Sequence, residues 1–469
     1  MRIIVVGAGI SGLSFAHALL SRGTEAPEVL VLDGASRAGG VVRSERVHGF
    51  LCEHGPNGFI DSAADTQALI DELGIRDRVV PSDDRARRRF IYRAGRLRPL
   101  PTGPGSFLTG DVLPVGGRLR MLLEPFVRGA AREDESVHSF VSRRFGGQAA
   151  SVMADAMTTG IFGGGSRDLS IRACLPQVWQ LEADHGGIVR GLIARRRARS
   201  RSPGTKTGGA SGGSAFGRLT SFRDGIEELP AALARALGSH LRLSTMVERI
   251  ERATGAGWAV RTSGGAVHQA DGVVLATGAA VAARLVEGLD PVLASHLREI
   301  VSAPITVVCL GYEASQKGAA FDGFGFLVPQ GEGPRILGAV WDSSVFPGRA
   351  PEGHSLVRVL VGGGRDPDAA ALGDEAIVEL ARGDLRTVCG LEGAPSFIRV
   401  IRQVPGLPQY QVGHPARLAR IAERLEGLRG VLLTGNSYRG LALNACIAEA
   451  RALAGTLAAR QPGVPDASA

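Results

Sequence analysis

Met1-Arg2-Ile3-Ile4-Val5-Val6-Gly7-Ala8-Gly9-Ile10-Ser11-Gly12 opens the chain, and after a helical run comes Val29-Leu30-Val31-Leu32-Asp33. This reads as a strand, a glycine turn, a helix and a second strand ending in an acid, a unit that binds a dinucleotide. Gly7 permits the tight turn, Gly9 lets the backbone approach a pyrophosphate, and Gly12 lets the helix pack closely on the strand. The helix N-terminus at Ile10 and Ser11 points free N–H groups and a positive dipole end at the phosphates. Asp33 lies 21 residues past Gly12, where a carboxylate accepts hydrogen bonds from a ribose hydroxyl.

Working outward, Arg37-Ala38-Gly39-Gly40 follows at once. Adjacent glycines just past the acid let a second stretch of backbone come close to the cofactor, which a nicotinamide enzyme does not need; the alternative is a loop that only turns the chain. Two distant apolar strands also end in Thr-Gly: Val273-Val274-Leu275-Ala276-Thr277-Gly278 and Val431-Leu432-Leu433-Thr434-Gly435. They are expected to return to the first sheet, leaving the segments between them to build a separate substrate domain. Together these signals point to flavin adenine dinucleotide (FAD).

At 469 residues the chain has room for two or three domains. No apolar run approaches the ~20 residues that span a bilayer, and Ile3–Val6 is too short for a signal-peptide core, so a cytoplasmic chain is expected. Cys52, Cys174, Cys309, Cys389 and Cys446 are scattered and read as reduced thiols, and no histidine cluster suggests a metal. Six of the eight net positive charges lie in residues 194–217, a Gly/Ser-rich stretch without an acid. It reads as a solvated linker or as a basic arm on anionic lipid. Aromatic residues make up only 5% and no reader motif occurs, so no nucleic-acid partner is expected.

Helices are expected over 62–74, through a block ending near 198, over 225–238 and 374–388, and from Leu443 to Arg460. A strand pair is expected around Arg89–Tyr92 and Arg96–Arg98. Residues 304–312, 323–329, 335–341 and 355–361 read as successive strands of an antiparallel sheet. Phe107, Leu108, Val112 and Leu113 look exposed. With Arg118, Arg120 and Arg128 the 105–126 stretch has an interfacial membrane pattern, against the plainer reading of a helical core.

The chain resembles the flavin-containing amine oxidase superfamily and, within it, the oxygen-dependent porphyrinogen oxidases of haem synthesis. The residues that carry this are GAGISGL, Leu32-Asp33 with RAGG, Glu53-His54-Gly55-Pro56-Asn57, Gly160-Ile161-Phe162-Gly163-Gly164, Gly323-Phe324-Gly325-Phe326-Leu327-Val328-Pro329, Leu407-Pro408-Gln409-Tyr410 and Gly440-Leu441-Ala442-Leu443-Asn444. The resemblance implies a fold that is α/β and α+β: a Rossmann-type FAD-binding domain, a mixed-sheet substrate domain and a helical membrane-binding domain. The FAD domain would comprise 1–80, 218–285 and 411–460, the substrate domain 81–100 and 286–410, and the helical domain 101–200. The basic linker is 194–217, and 461–469 is a flexible tail.

By the same resemblance, Gly7, Gly9, Ile10, Ser11, Gly12, Asp33, Arg37, Gly39, Gly40, Gly55, Pro56, Asn57, Val247, Leu441, Leu443 and Asn444 would hold FAD. Arg89 would face a propionate, against the plainer reading of a solvated strand charge. Phe324, Leu327, Val340 and Leu360 would line an apolar pocket, and the Gly160 carbonyl would lie over the macrocycle. His54 is the one titratable group near the flavin motif, and a structural hydrogen bond is its expected role.

The implied reaction is the six-electron oxidation of protoporphyrinogen IX to protoporphyrin IX by dioxygen, with three hydrogen peroxide released. Coproporphyrinogen III is the alternative substrate; an amine oxidase and a non-enzymatic flavin-bound adaptor are further rivals. Expected partners are the porphyrinogen and dioxygen, the cytoplasmic face of the inner membrane as a peripheral contact, a ferrochelatase receiving product, and a second copy in a homodimer.

Overall fold

A computed structural model describes residues 1–23, 26–129, 133–201, 217–316 and 321–459. The tail at 461–469 and most of the basic stretch, 202–216, lie outside these residues.

The opening unit builds a five-stranded parallel sheet in the order Leu241–Arg242, Glu28–Leu32, Arg2–Val6, Gly272–Leu275, Val431–Leu433. Both Thr-Gly strands pair in parallel there, Val5 opposite Val274 and Leu275 opposite Leu433. Alternation explains why these strands are apolar throughout. Ile3, Val5, Val29 and Val31 point to one side, where the helix Ile10–Leu20 packs with Glu228–Leu237 and Leu443–Ala459. Ile4, Val6, Leu30 and Leu32 point to the other, against a three-stranded meander (Val247–Arg252, Trp258–Thr262, Val267–Ala270) and three further helices. Each fully buried Val, Leu or Ile contributes roughly 1.5–3 kcal/mol.

One of those three helices, Pro291–Arg298, buries Leu293 and Leu297 in this layer together with Ile300. The dinucleotide-binding layer therefore runs past residue 285, the boundary expected from sequence. Hydrophobic periodicity marks the helix but not which sheet it covers.

The second sheet has seven strands: Phe397–Pro408, Ser302–Glu313, His354–Gly362, Gly338–Val340, Gly325–Leu327, Arg89–Arg93 and Arg96–Pro99. Its strands are not successive as expected: Ser302–Glu313 lies between Phe397–Pro408 and His354–Gly362, and Gly325–Leu327 runs parallel to Arg89–Arg93. One face carries Phe326, Ala339, Val357 and Val359 against the helix Asp374–Cys389. The other face meets the helices inserted between residues 99 and 219 at Ile91 and Leu327, and Phe50 and Cys52 of the FAD layer at Val307 and Leu356.

In that insert the helix Ile188–Arg201 continues into the basic run, so residues 194–201 are helical rather than linker. Val112 and Leu113, expected at the surface, are buried beside Ile91 and Val152, whereas Leu108 is exposed. Arg118 donates to the Leu108 carbonyl, and Arg120 to those of Arg143 and Arg144, so both guanidiniums brace the insert. Among the described residues no helix is long and apolar enough to cross a membrane, and no cluster could hold a metal ion.

Candidate active site

The glycine turn sits at the carboxyl ends of the parallel strands, where open α/β sheets take their ligands. Gly7 adopts φ +108°, a region L side chains avoid, and its N–H donates to Leu32 O at 2.8 Å. A Cβ on Gly12 would strike the Gly7 carbonyl oxygen and lie 3.0 Å from Ala276 Cβ. Gly9 is different, because nothing lies within 4 Å of the place its Cβ would take. The helix starting at Ile10 has no side-chain cap and no acid in its first turn, so its N-terminal N–H groups meet that open space uncompensated.

The second glycine turn is tied to the first. The Gly39 N–H donates to Ala8 O at 2.7 Å, and Gly9 pairs with Gly39 in an isolated bridge. A third segment joins them, since a Cβ on Gly55 would lie 2.5 Å from Val41 O. Around this cradle Thr277 Oγ1 and Thr434 Oγ1 are buried without a hydrogen-bond partner. Buried polar groups are ordinarily paired, so orphaned ones beside an open glycine backbone and a bare helix N-terminus fit a pyrophosphate-bearing cofactor such as FAD.

Asp33 accepts the Ala8 N–H at 2.6 Å and the Ala35 N–H at 2.8 Å through different oxygens, leaving each a lone pair for a ribose hydroxyl. Arg37 folds back on its own turn, donating to Gly40 O at 2.6 Å and Ala38 O at 3.0 Å, with Glu227 at 3.5 Å. Val247 is buried at the start of a meander strand, two residues past Thr245, whose N–H donates to Asp33 O at 2.7 Å. Asn444 spends both ends of its amide on protein: Nδ2 donates to Ile60 O at 2.8 Å and Oδ1 accepts from Thr66 at 2.9 Å. Leu443 packs in the core, and Leu441 packs against the cluster of the helical insert. His54 Nε2 pairs with Glu45 at 3.1 Å, and burial holds the imidazole pKa below its ordinary value. Its place is structural.

On the seven-stranded sheet, register sets Arg89, Gly325, Val340 and Arg358 in one row and Ile91, Leu327, Gly338 and Leu360 in the next. Leu327, Val340 and Leu360 are only half-buried, unlike the residues that alternate with them. Across from them the helix Asp155–Phe162 presents Gly160, where a Cβ would lie 2.9 Å from Leu327 Cδ1. No backbone N–H of the described residues donates to the Gly160 carbonyl, which belongs to the helix's last turn. Arg89 stands at the end of the row with its guanidinium 4.9 Å from the Phe324 ring centroid. It has no hydrogen-bond or ion-pair partner among the described residues, and desolvation alone holds its pKa down.

Three buried residues escape a reading by motifs: Asp342, Arg349 and Arg358. The one signal was an arginine in the middle of the apolar strand His354–Gly362, because a buried arginine implies a partner.

A family model described as "Flavin containing amine oxidoreductase" matches residues 10–458. A protoporphyrinogen oxidase of Homo sapiens is 34% identical, over 98% of this chain and 99% of its own. A coproporphyrinogen III oxidase of Propionibacterium freudenreichii subsp. freudenreichii is 31% identical, over 96% of this chain and 89% of its own. A crystal structure from Exiguobacterium sp. 255-15, assigned as a protoporphyrinogen oxidase, shares the fold with a TM-score of 0.81 at 23% identity, covering 98% of this chain and 99% of its own.

Proposed function

This chain belongs to the flavin-containing amine oxidoreductase family, and on that premise we propose that it oxidises protoporphyrinogen IX to protoporphyrin IX. It is an FAD-dependent oxidase. Bound FAD supplies two-electron oxidation at carbon with dioxygen as the final acceptor, so three rounds remove six electrons and release three hydrogen peroxide.

The remaining work falls to side chains and backbone. Leu327, Val340 and Leu360 receive the macrocycle on a dry face. The Gly160 carbonyl accepts a pyrrole N–H from the opposite side and turns the ring toward the cofactor. Arg89 binds a propionate, for which a guanidinium offers two parallel donors. The observation that carries the reading is Arg89 itself, an exposed guanidinium over the Phe324 ring, with no ion-pair partner among the described residues and beside an apolar face.

The test is Arg89→Ala. KM for protoporphyrinogen IX should rise about tenfold to a hundredfold, as expected for losing a charged hydrogen bond of roughly 1.5–3 kcal/mol, while kcat changes little. An unchanged KM would remove Arg89 from the substrate site. Turnover on coproporphyrinogen III, measured alongside, decides between the substrates: a strong preference for that four-carboxylate porphyrinogen would replace the proposed one.

The same reading seats the protein peripherally on the cytoplasmic face of the cell membrane. Support comes from exposed Leu108, Val115, Leu119, Leu122, Leu123 and Phe126 on one stretch of the helical insert. Purified protein should float with vesicles containing anionic lipid, and Phe126→Ser with Leu123→Ser should reduce the floated fraction severalfold. Equal flotation of wild type and variant would place the contact elsewhere.

A further inference from the structure

Two cations and two carboxylates are buried together between the FAD layer and the substrate sheet. Arg358 Nε lies 3.1 Å from Asp342 Oδ2, with the two side chains 4% and 3% exposed. Arg349 lies 3.5 Å from Glu53 and donates to Ser221 Oγ at 2.9 Å. Glu53 also accepts from Ser44 Oγ at 2.6 Å and from the Ile226 N–H at 3.1 Å. Burial pushes the Glu53 carboxyl up to about 7 and raises that of Asp342.

As a stabilising device the quartet is a poor choice, because well-packed apolar residues often serve as well as a buried ion pair. Its position is more informative. Arg358 Nη1 donates to the Gly55 carbonyl at 2.9 Å, and Gly55 lies against the second glycine turn of the cofactor cradle. Two residues along the same strand stands Leu360, on the face turned to the substrate. Arg358 is thus a direct link from the substrate sheet to the backbone of Gly55–Asn57.

We propose that Arg358, oriented by Asp342, is a positioning residue for the flavin: it fixes the Gly55–Asn57 segment against the bound cofactor and sets the local charge there from the substrate side. The inference rests on FAD binding and is independent of which porphyrinogen is oxidised. Asp342→Asn leaves the Arg358 charge unbalanced, which favours the more electron-rich reduced flavin. Arg358→Met removes the cation, frees the Gly55 carbonyl and leaves the Asp342 carboxylate without its counterion, which disfavours the more electron-rich reduced flavin.

The experiment measures the reduction potential of the FAD-loaded protein by dye equilibration, together with its visible absorption bands and steady-state kinetics. Asp342→Asn should shift the potential upward and Arg358→Met downward. In Arg358→Met, kcat should fall about tenfold to a hundredfold through misplacement, with KM within twofold of wild type. Arg358→Lys should restore the potential but not kcat, because a single ammonium cannot bridge Asp342 and Gly55 O as the guanidinium fork does. Wild-type potential and bands in both Asp342→Asn and Arg358→Met, with only a lower melting temperature, would overturn the proposal. If Arg358→Met fails to fold, Arg358→Met with Asp342→Leu removes both charges; wild-type kcat in that variant would equally overturn it. The potentials need no porphyrinogen, so shifted potentials without porphyrinogen turnover would sink the substrate assignment alone.

Discussion

Gly9→Val should yield a folded protein without flavin, whereas Gly12→Val should fail to fold properly. Both residues belong to one motif, and their surroundings separate them. A Cβ at Gly9 has no protein atom beyond its chain neighbours within 4 Å, so the apoprotein has room for the substitution. It occupies the space in front of the helix N-terminus that the pyrophosphate needs. At Gly12 the same change drives a side chain into the Gly7 carbonyl and toward Ala276. Overpacking costs about 1–3 kcal/mol where neighbours can move, and here the first neighbour is backbone. A ligand present at a hundred times its Kd adds about 2.7 kcal/mol of stability, so added FAD should raise the melting temperature of wild type and not of Gly9→Val. A yellow Gly9→Val protein with one flavin per chain would show that the pyrophosphate lies elsewhere.

The second large effect is expected far from the flavin. Arg144, Glu124 and Glu182 have fully buried side chains in the helical insert. Arg144 Nε donates to Glu124 at 2.9 Å, and its Nη1 lies 3.3 Å from Glu182 and 3.1 Å from Val127 O. Glu124 also accepts the Ile188 N–H at 2.8 Å and the Val189 N–H at 3.1 Å, so it caps the helix Ile188–Arg201. Arg144→Met leaves a carboxylate buried without its counterion, which costs about 3–5 kcal/mol. Chemical denaturation should report that loss, and limited proteolysis should cut first within 101–201 while the flavin stays bound. The stranded group is Glu124, since Glu182 keeps Arg143, so Arg144→Met with Glu124→Gln, which removes that charge and keeps an oxygen for the Ile188 and Val189 N–H groups, should lose less. A loss below about 1 kcal/mol in the single variant would mean that water reaches the cluster.

Several of these features were legible from residue order alone, and others were not. The cofactor unit is local: turn, helix and acid lie within 33 residues, and the two Thr-Gly strands betray themselves by being apolar without alternation. Register in the second sheet is not local. Gly325–Leu327 runs parallel to a strand more than 200 residues earlier, a pairing that no periodicity encodes. The strand Phe397–Pro408 is not legible in the sequence, because Arg399, Arg402 and Gln403 interrupt its apolar pattern. A motif also names residues without saying what they touch. Asn444 and His54 lie in flavin-linked stretches, yet their polar atoms are committed to Ile60, Thr66 and Glu45. Arg358 belongs to no motif and reaches Gly55 across 303 positions.

The parallel sheet has a consequence for how the protein is made. Its middle strand, Arg2–Val6, leaves the ribosome more than 400 residues ahead of the edge strand Val431–Leu433 and of the helix Leu443–Ala459 that covers the first helix. At roughly 5–20 residues per second, a nascent chain waits tens of seconds with the apolar side of its nucleotide unit uncovered. Flavin capture therefore waits for Val431–Ala459, and Val5, Val31 and Leu13 stay open to unwanted association until the helix Leu443–Ala459 covers them.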